Sequence, residues 1–197
     1  MYKVNEIFNS LQGEGYWTGE ARVFIRLSGC NLRCPFCDTD HSAWRGMSVE
    51  DIVGECLRIA GPVRDVAITG GEPALQLGSG LVDTLHDAGF FIQIETNGTR
   101  SLPDGIDWIT LSPKTDVRGL SGDASVRLDR ADEVKLVYEG QDEALIEKWA
   151  SFPADHYFLQ PCDSPDGHSY VTETVEYIKR HPHWRLSLQT HKYLGIR

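Results

Sequence analysis

Gly29-Cys30-Asn31-Leu32-Arg33-Cys34-Pro35-Phe36-Cys37-Asp38-Thr39 is the stretch around which the chain is organised. Three of the five cysteines fall here, spaced C-x3-C-x2-C at the end of an apolar run. Thiolates this close in sequence share a site, and soft sulfur ligands select zinc, copper(I) or iron–sulfur clusters. A closed four-iron cluster takes four thiolates. With no fourth cysteine nearby, one iron would keep an open position for an outside ligand, which distinguishes a reactive metal site from a structural one. The same residues also suit a structural zinc site completed by His41, or a redox pair.

The spacing, with aromatic Phe36 just before the last cysteine, resembles the signature of the radical S-adenosylmethionine (SAM) superfamily. There the open iron chelates the amino and carboxylate groups of SAM. The resemblance favours Cys30, Cys34 and Cys37 as ligands of a 4Fe–4S cluster.

Length and charge narrow the rest. At 197 residues the chain suits a single domain, 1–197, with a real core. No stretch reaches the length of a membrane span and no leader-like segment precedes Glu6, so a cytoplasmic protein is expected. Clustered cysteines then favour metal binding over disulfides. The 19 Lys+Arg stand against 29 Asp+Glu, a formal charge of −10, with no basic cluster. A protein that grips phosphate backbones needs a cationic face, so nucleic acid is disfavoured and a small molecule fits better.

Along the chain, Val4 to Gly15 reads as a strand entering a glycine-bracketed loop. Arg22 to Leu27 alternates with a period of two, placing Arg26 opposite Val23 and Ile25. Arg26 is there either a solvated arginine or a fixed fork for a carboxylate. Ser48-Val49-Glu50-Asp51 matches a capping box with Asp for Glu, opening a helix whose apolar stripe includes Cys56. Cys56 is therefore a core residue and not a fourth ligand.

Strands running into polar ends follow at Asp65 to Pro73, where the strand breaks into a glycine turn, Phe90 to Gly98 and Trp108 to Lys114, with further strands at Val134 to Tyr138, Tyr157 to Pro161 and Trp184 to Gln189. Helices fit Leu77–Ala88, Asp142–Ala150 and Thr172–Arg180. Strands alternating with helices predict a parallel α/β sheet with polar residues gathered just after strand ends. Lys114 to Asp132 is polar and lacks helical pattern. The fold expected is thus an incomplete, partial TIM-like βα barrel of the radical SAM type, with a helix missing.

Gly70-Gly71-Glu72 after a strand offers carbonyls and one carboxylate to a cation. In the superfamily such a turn meets the amino group of SAM. The ordered set Leu11-Gln12-Gly13-Glu14-Gly15, Cys37-Asp38-Thr39, Thr69-Gly70-Gly71-Glu72-Pro73, Glu95-Thr96-Asn97-Gly98, Ser112-Pro113-Lys114 and Gln189-Thr190-His191-Lys192 resembles the 7-carboxy-7-deazaguanine synthase family, from near the N-terminus to the last residues.

That resemblance implies a lyase converting 6-carboxy-5,6,7,8-tetrahydropterin to 7-carboxy-7-deazaguanine with loss of ammonia, toward queuosine. SAM cleavage at the reduced cluster would start the reaction, with hydrogen taken from C6 of the pterin. The resemblance places Phe36, Cys37, Asp38, Gly71, Ser112, Pro113, Lys114, Gln160, Pro161, Cys162 and Asp163 at SAM. It places Leu11, Gln12, Gly13, Arg26, Thr69 and the terminal carboxylate of Arg197 at the pterin. Thr39 would ligate Mg²⁺ with the substrate carboxylate, an oxygen ligand suited to a hard ion. Glu95 and His191 are the candidates for proton transfer. An electron donor such as flavodoxin or ferredoxin and a homodimer are also implied. The rivals are a radical SAM activase of a glycyl-radical enzyme and a non-catalytic zinc module.

Overall fold

Alternation along the strands decides which side of the sheet meets the helices and which side turns inward. On β2 (Ala21–Leu27), Val23, Ile25 and Leu27 are fully buried beneath the helices, while Arg22, Phe24 and Arg26 point the other way. The same division runs through β4 (Asp65–Gly70), β5 (Phe91–Thr96), β6 (Trp108–Leu111), β7 (Glu133–Tyr138) and β8 (His156–Pro161). Their outer residues Val66, Ile68, Ile92, Ile94, Leu111, Val134 and Leu159 form two apolar clusters with the helices. Their inner residues include Gln93, Glu95, Thr110, Glu133, Lys135 and Gln160, which is a polar interior rather than a second oily layer.

The computed structural model describes residues 1–40, 42–115, 117–164 and 166–197. His41, the zinc ligand weighed from sequence, lies outside the described residues. Nine strands form one sheet in the order β3-β1-β2-β4-β5-β6-β7-β8-β9, where β1 is Tyr2–Leu11, β3 Arg45–Met47 and β9 Arg185–Leu186. From β2 to β9 every pairing is parallel, as predicted; β1 and β3 add an antiparallel edge. This is the partial βα barrel.

Helix α1 (Val49–Ala60) opens with the predicted capping box, Ser48 accepting from the Asp51 N–H and Asp51 accepting from the Ser48 N–H. Cys56 lies wholly inside its apolar face, and burial pushes its thiol up to about 12. Helices α2 (Ser79–Asp87), α3 (Glu143–Ala150) and α4 (Val171–Arg180) fall within a residue or two of expectation.

Three differences matter. Among the described residues the Lys114 to Asp132 stretch has no helix, as expected, but neither has 97–107, where Asn97 Oδ1 accepts from both the Thr99 N–H and the Thr99 hydroxyl. β9 is shorter than Trp184–Gln189 because its chain leaves the sheet after Leu186. There Ser187 Oγ accepts from the Gly15 N–H and Gln189 reaches Glu14. The third is β3, whose three residues carry too little pattern to read.

The lower end of the barrel is shut by the Tyr16–Trp17 turn. Trp17 stacks edge-on against Trp108 and lies 4.8 Å beneath the fully buried Arg22 guanidinium. The upper end, at the C-terminal tips of the strands, stays open. That is where the conserved geometry of βα barrels builds sites.

Candidate active site

A cavity of about 580 Å³ opens at the strand tips, within the range of sites for small molecules and cofactors. Its wall includes Cys30, Cys34 and Cys37 together with Gln12, Arg26, Glu95 and His191.

The cysteine loop is laced to the next strand end through its backbone. The Gly71 N–H donates to Leu27 O and the Glu72 N–H to Gly29 O, each at 2.9 Å. A Cβ on Gly71 would stand 2.1 Å from Gly29 O, so only glycine permits this approach. The loop's far end is held by paired Arg33 and Ser121 backbone groups, and Asn31 donates to Thr99 Oγ1 at 2.9 Å. All three thiols are free of disulfides and line the same cavity. Burial pushes the Cys30 and Cys34 thiols up, so their ionised forms need a compensating cation. The Leu32 N–H, donating to Cys30 Sγ at 3.4 Å, is ready to support a bound thiolate. Three thiols converging on one cavity, loop fixed and charge unpaired, fit an iron–sulfur cluster with an open position.

The Glu72 carboxylate is not free to meet a ligand. It is 1 % exposed and accepts from Ala74 N–H at 2.9 Å, Thr96 Oγ1 at 2.7 Å and Asn97 N–H at 2.7 Å. Burial raises its pKa against those three donors. The expectation that this carboxylate serves a cation is corrected: it buckles the tip of β4 to that of β5, and the surface left to SAM is the backbone around Gly70 and Gly71.

Most of the other expected residues line the cavity: Leu11, Gln12, Gly13, Phe36, Asp38, Thr39, Thr69, Ser112, Lys114, Gln160, Pro161, Cys162 and Asp163. Two of the expected residues lie outside this lining. Pro113 lies outside it, in a small crevice with Leu136 and Trp149, since alternation turns it away from Ser112 and Lys114. Arg197 is also outside the lining; its terminal oxygen accepts from Ser10 Oγ at 2.6 Å and its guanidinium pairs with Glu6. The Cys162 thiol is pushed up to about 11 by burial, and the charges around it are Glu139, Asp163, Asp166 and Lys192.

Arg26 gives its Nε to Glu6 at 2.9 Å and presents the guanidinium at the cavity wall, which favours the fixed fork over a solvated side chain. Glu95 accepts from Gln12 Nε2 at 3.0 Å and from Lys135 Nζ at 3.2 Å. Lys114 Nζ donates to the Ser112 carbonyl at 2.9 Å, and burial lowers its pKa.

Four further residues given no role from sequence also line the site: Glu14, Gln189 and Lys192, which lie within the quoted motifs, and Lys135. Lys192 Nζ lies 2.6 Å from both Asp38 and Asp163, tying the cysteine loop to the tip of β8. Burial opposes charge on Asp38, but Lys192 and Gln189 hold its carboxyl below the usual range. The signal for Lys135 was a lysine inside the apolar strand Val134–Tyr138.

Comparison with known proteins bears directly on this geometry. Residues 24–118 match the radical SAM superfamily model. The 7-carboxy-7-deazaguanine synthase of Bacteroides thetaiotaomicron is 51 % identical over 197 residues, covering 100 % of both chains. The chain belongs to the 7-carboxy-7-deazaguanine synthase family. The Bordetella pertussis member is 43 % identical, covering 99 % of each chain. The crystal structure of QueE from Escherichia coli superposes with a TM-score of 0.78 at 34 % identity, covering 95 % of this chain and 93 % of that one. The protein is accordingly a radical SAM lyase, with a 4Fe–4S cluster and SAM as the family's cofactors. Among the described residues no helix is long and apolar enough to cross a membrane.

Proposed function

We propose that this cavity binds 6-carboxy-5,6,7,8-tetrahydropterin beside SAM and converts it to 7-carboxy-7-deazaguanine, releasing ammonia. The observation that carries the reading is one cavity lined both by three free thiols and the Gly71 turn and by Gln12, Arg26 and Glu95. The family's shared name supports the substrate.

Cys30, Cys34 and Cys37 would hold the cluster, which together with SAM would supply the radical chemistry that activates a carbon of the substrate. Gly71, Asp38, Ser112, Lys114 and the Gln160–Asp163 tip of β8 border the cofactor's share of the cavity. Arg26 offers the substrate carboxylate a rigid donor fork. Gln12 and Thr69 present hydrogen-bonding groups to the heterocycle from neighbouring strands. Glu95, between Gln12 and Lys135, is positioned as the base for proton removal, and His191 as the acid that assists ammonia loss. Lys192, joined to Asp38 and Asp163, helps close the mouth and exclude water.

Thr39 lines the cavity two residues beyond Cys37 and suits Mg²⁺ together with the substrate carboxylate. Chelating agents should then lower turnover and Thr39→Ala should blunt its recovery by Mg²⁺. The single-domain chain, 1–197, works in the cytoplasm as a homodimer, taking electrons from flavodoxin or ferredoxin.

Substrate deuterated at C6 tests the reaction. Deuterium in SAM recovered after turnover supports hydrogen transfer at that carbon; product formed with label-free SAM contradicts it.

A further inference from the structure

Lys135 is 4 % exposed and its Nζ donates to Glu14 Oε2 and Glu95 Oε2. Each carboxylate spends its other oxygen on an amide: Glu14 Oε1 accepts from Gln189 Nε2 at 2.9 Å, Glu95 Oε1 from Gln12 Nε2 at 3.0 Å. One ammonium thus sits at the centre of a chain running amide–carboxylate–ammonium–carboxylate–amide. Four parts of the fold meet there: β5, β7, the Gln12–Gly15 loop and the C-terminal segment. The Thr190 N–H and hydroxyl both donate to Gly13 O, at 2.9 and 3.0 Å. His191 lies so close over Gly13 that a Cβ there would stand 2.1 Å from Nδ1.

We propose that Lys135 is a positioning residue of the reaction: it holds Glu95 in the cavity wall and, through Glu14, fastens the segment carrying His191 over the substrate. The inference rests on the reaction proposed above and adds to it the group that aligns the two proton-transfer residues.

The charges around the lysine fit a fixed cation. Facing it are Glu14 from the loop, Glu95 from β5, Glu133 from β7 and Lys114 beyond β6; Glu14 in turn faces His191 and Asp38. One ammonium cannot offset three buried carboxylates. Burial pushes Glu133 up to about 7, and its Oε2 takes the Tyr16 N–H at 2.9 Å, leaving the lysine to the other two. Burial opposes charge on Lys135, yet Glu14 and Glu95 outweigh it and raise its pKa. Burial likewise opposes charge on Glu14, and Lys135 overrides it to hold that carboxyl at about 2. A lysine so held is a poor proton donor at working pH. Its part is electrostatic and geometric, and removing it leaves buried charge uncompensated.

The test compares reconstituted wild type, Lys135→Met and Lys135→Arg. It reads iron content and the pH profile of kcat for deazapurine formation. In Lys135→Met, kcat should fall at least about 100-fold, the scale of losing a buried charged partner. The acid limb of its profile should rise by more than about one pH unit as Glu14 loses its cation. Iron content should stay at the wild-type level. Lys135→Arg should keep the wild-type acid limb, its bulkier fork lowering kcat alone. A Lys135→Met enzyme slowed with its acid limb unmoved overturns the proposal. If Lys135→Met loses its iron, Lys135→Arg decides: a wild-type acid limb supports the role, and a shifted limb with charge retained overturns it. A wild type that makes no deazapurine fails at a different point, refuting the assigned reaction before any variant is compared.

Discussion

Gly71 approaches Gly29 so closely that a methyl group on its Cα would stand 2.1 Å from the Gly29 carbonyl oxygen. That contact, with the two backbone hydrogen bonds beside it, sets the distance between the cysteine loop and the tip of β4. Gly71→Ala should therefore push the loop away from the sheet. The expected outcome is a protein that still folds but reconstitutes with much less iron and binds SAM at least about tenfold more weakly, as closely packed sites respond to small displacements. Iron analysis and equilibrium binding check it; unchanged iron and SAM affinity would mean the contact is incidental.

Glu72 makes a separable prediction. Its carboxylate serves three protein donors, so Glu72→Gln puts an amide N–H₂ where an acceptor is needed. The cost should be about 2–3 kcal/mol of stability, the scale of hydrogen bonds to a charged group. Denaturant unfolding of the metal-free protein reads this directly. Unaltered stability with SAM binding lost would restore the ligand-facing role inferred from the motif.

Much of this site was legible in the sequence because local patterns carry it. The cysteine spacing is contiguous, strand alternation placed Arg26 on the inner face, and the Ser48–Asp51 capping box formed as written. The Glu72 role was not legible, since its partners Thr96 and Asn97 come from the next strand and only the fold brings them together. Lys135 was hidden for a related reason: in a strand of apolar residues, one lysine has meaning only when Glu14, 121 residues away, is seen against it. Arg197 and Pro113, both carried over with the motif, stand outside the lining, Arg197 against Ser10 and Pro113 in the crevice with Leu136 and Trp149.

Glu133 links the interior to pH. Its folded pKa of about 7 lies above the ordinary 4.5, so the folded state keeps a proton that the unfolded chain releases. Stability from this group is present below pH 4.5 and declines as pH rises toward about 7. Glu133→Gln removes the cost of burying that charge. It should stabilise the protein by up to about 3 kcal/mol above pH 7 and change little in acid, because one pKa unit corresponds to about 1.4 kcal/mol. Unfolding curves at both ends of the window decide it; equal effects at both, or destabilisation above pH 7, would show that the carboxylate is ionised at no cost.

The most direct measurement is anaerobic. The reconstituted protein is given SAM, a reductant, Mg²⁺ and 6-carboxytetrahydropterin, and the products are read by mass spectrometry. The account predicts 7-carboxy-7-deazaguanine formed over many turnovers. Release of 5′-deoxyadenosine with no deazapurine would contradict the substrate, and zinc in place of iron with neither product would contradict the radical chemistry itself.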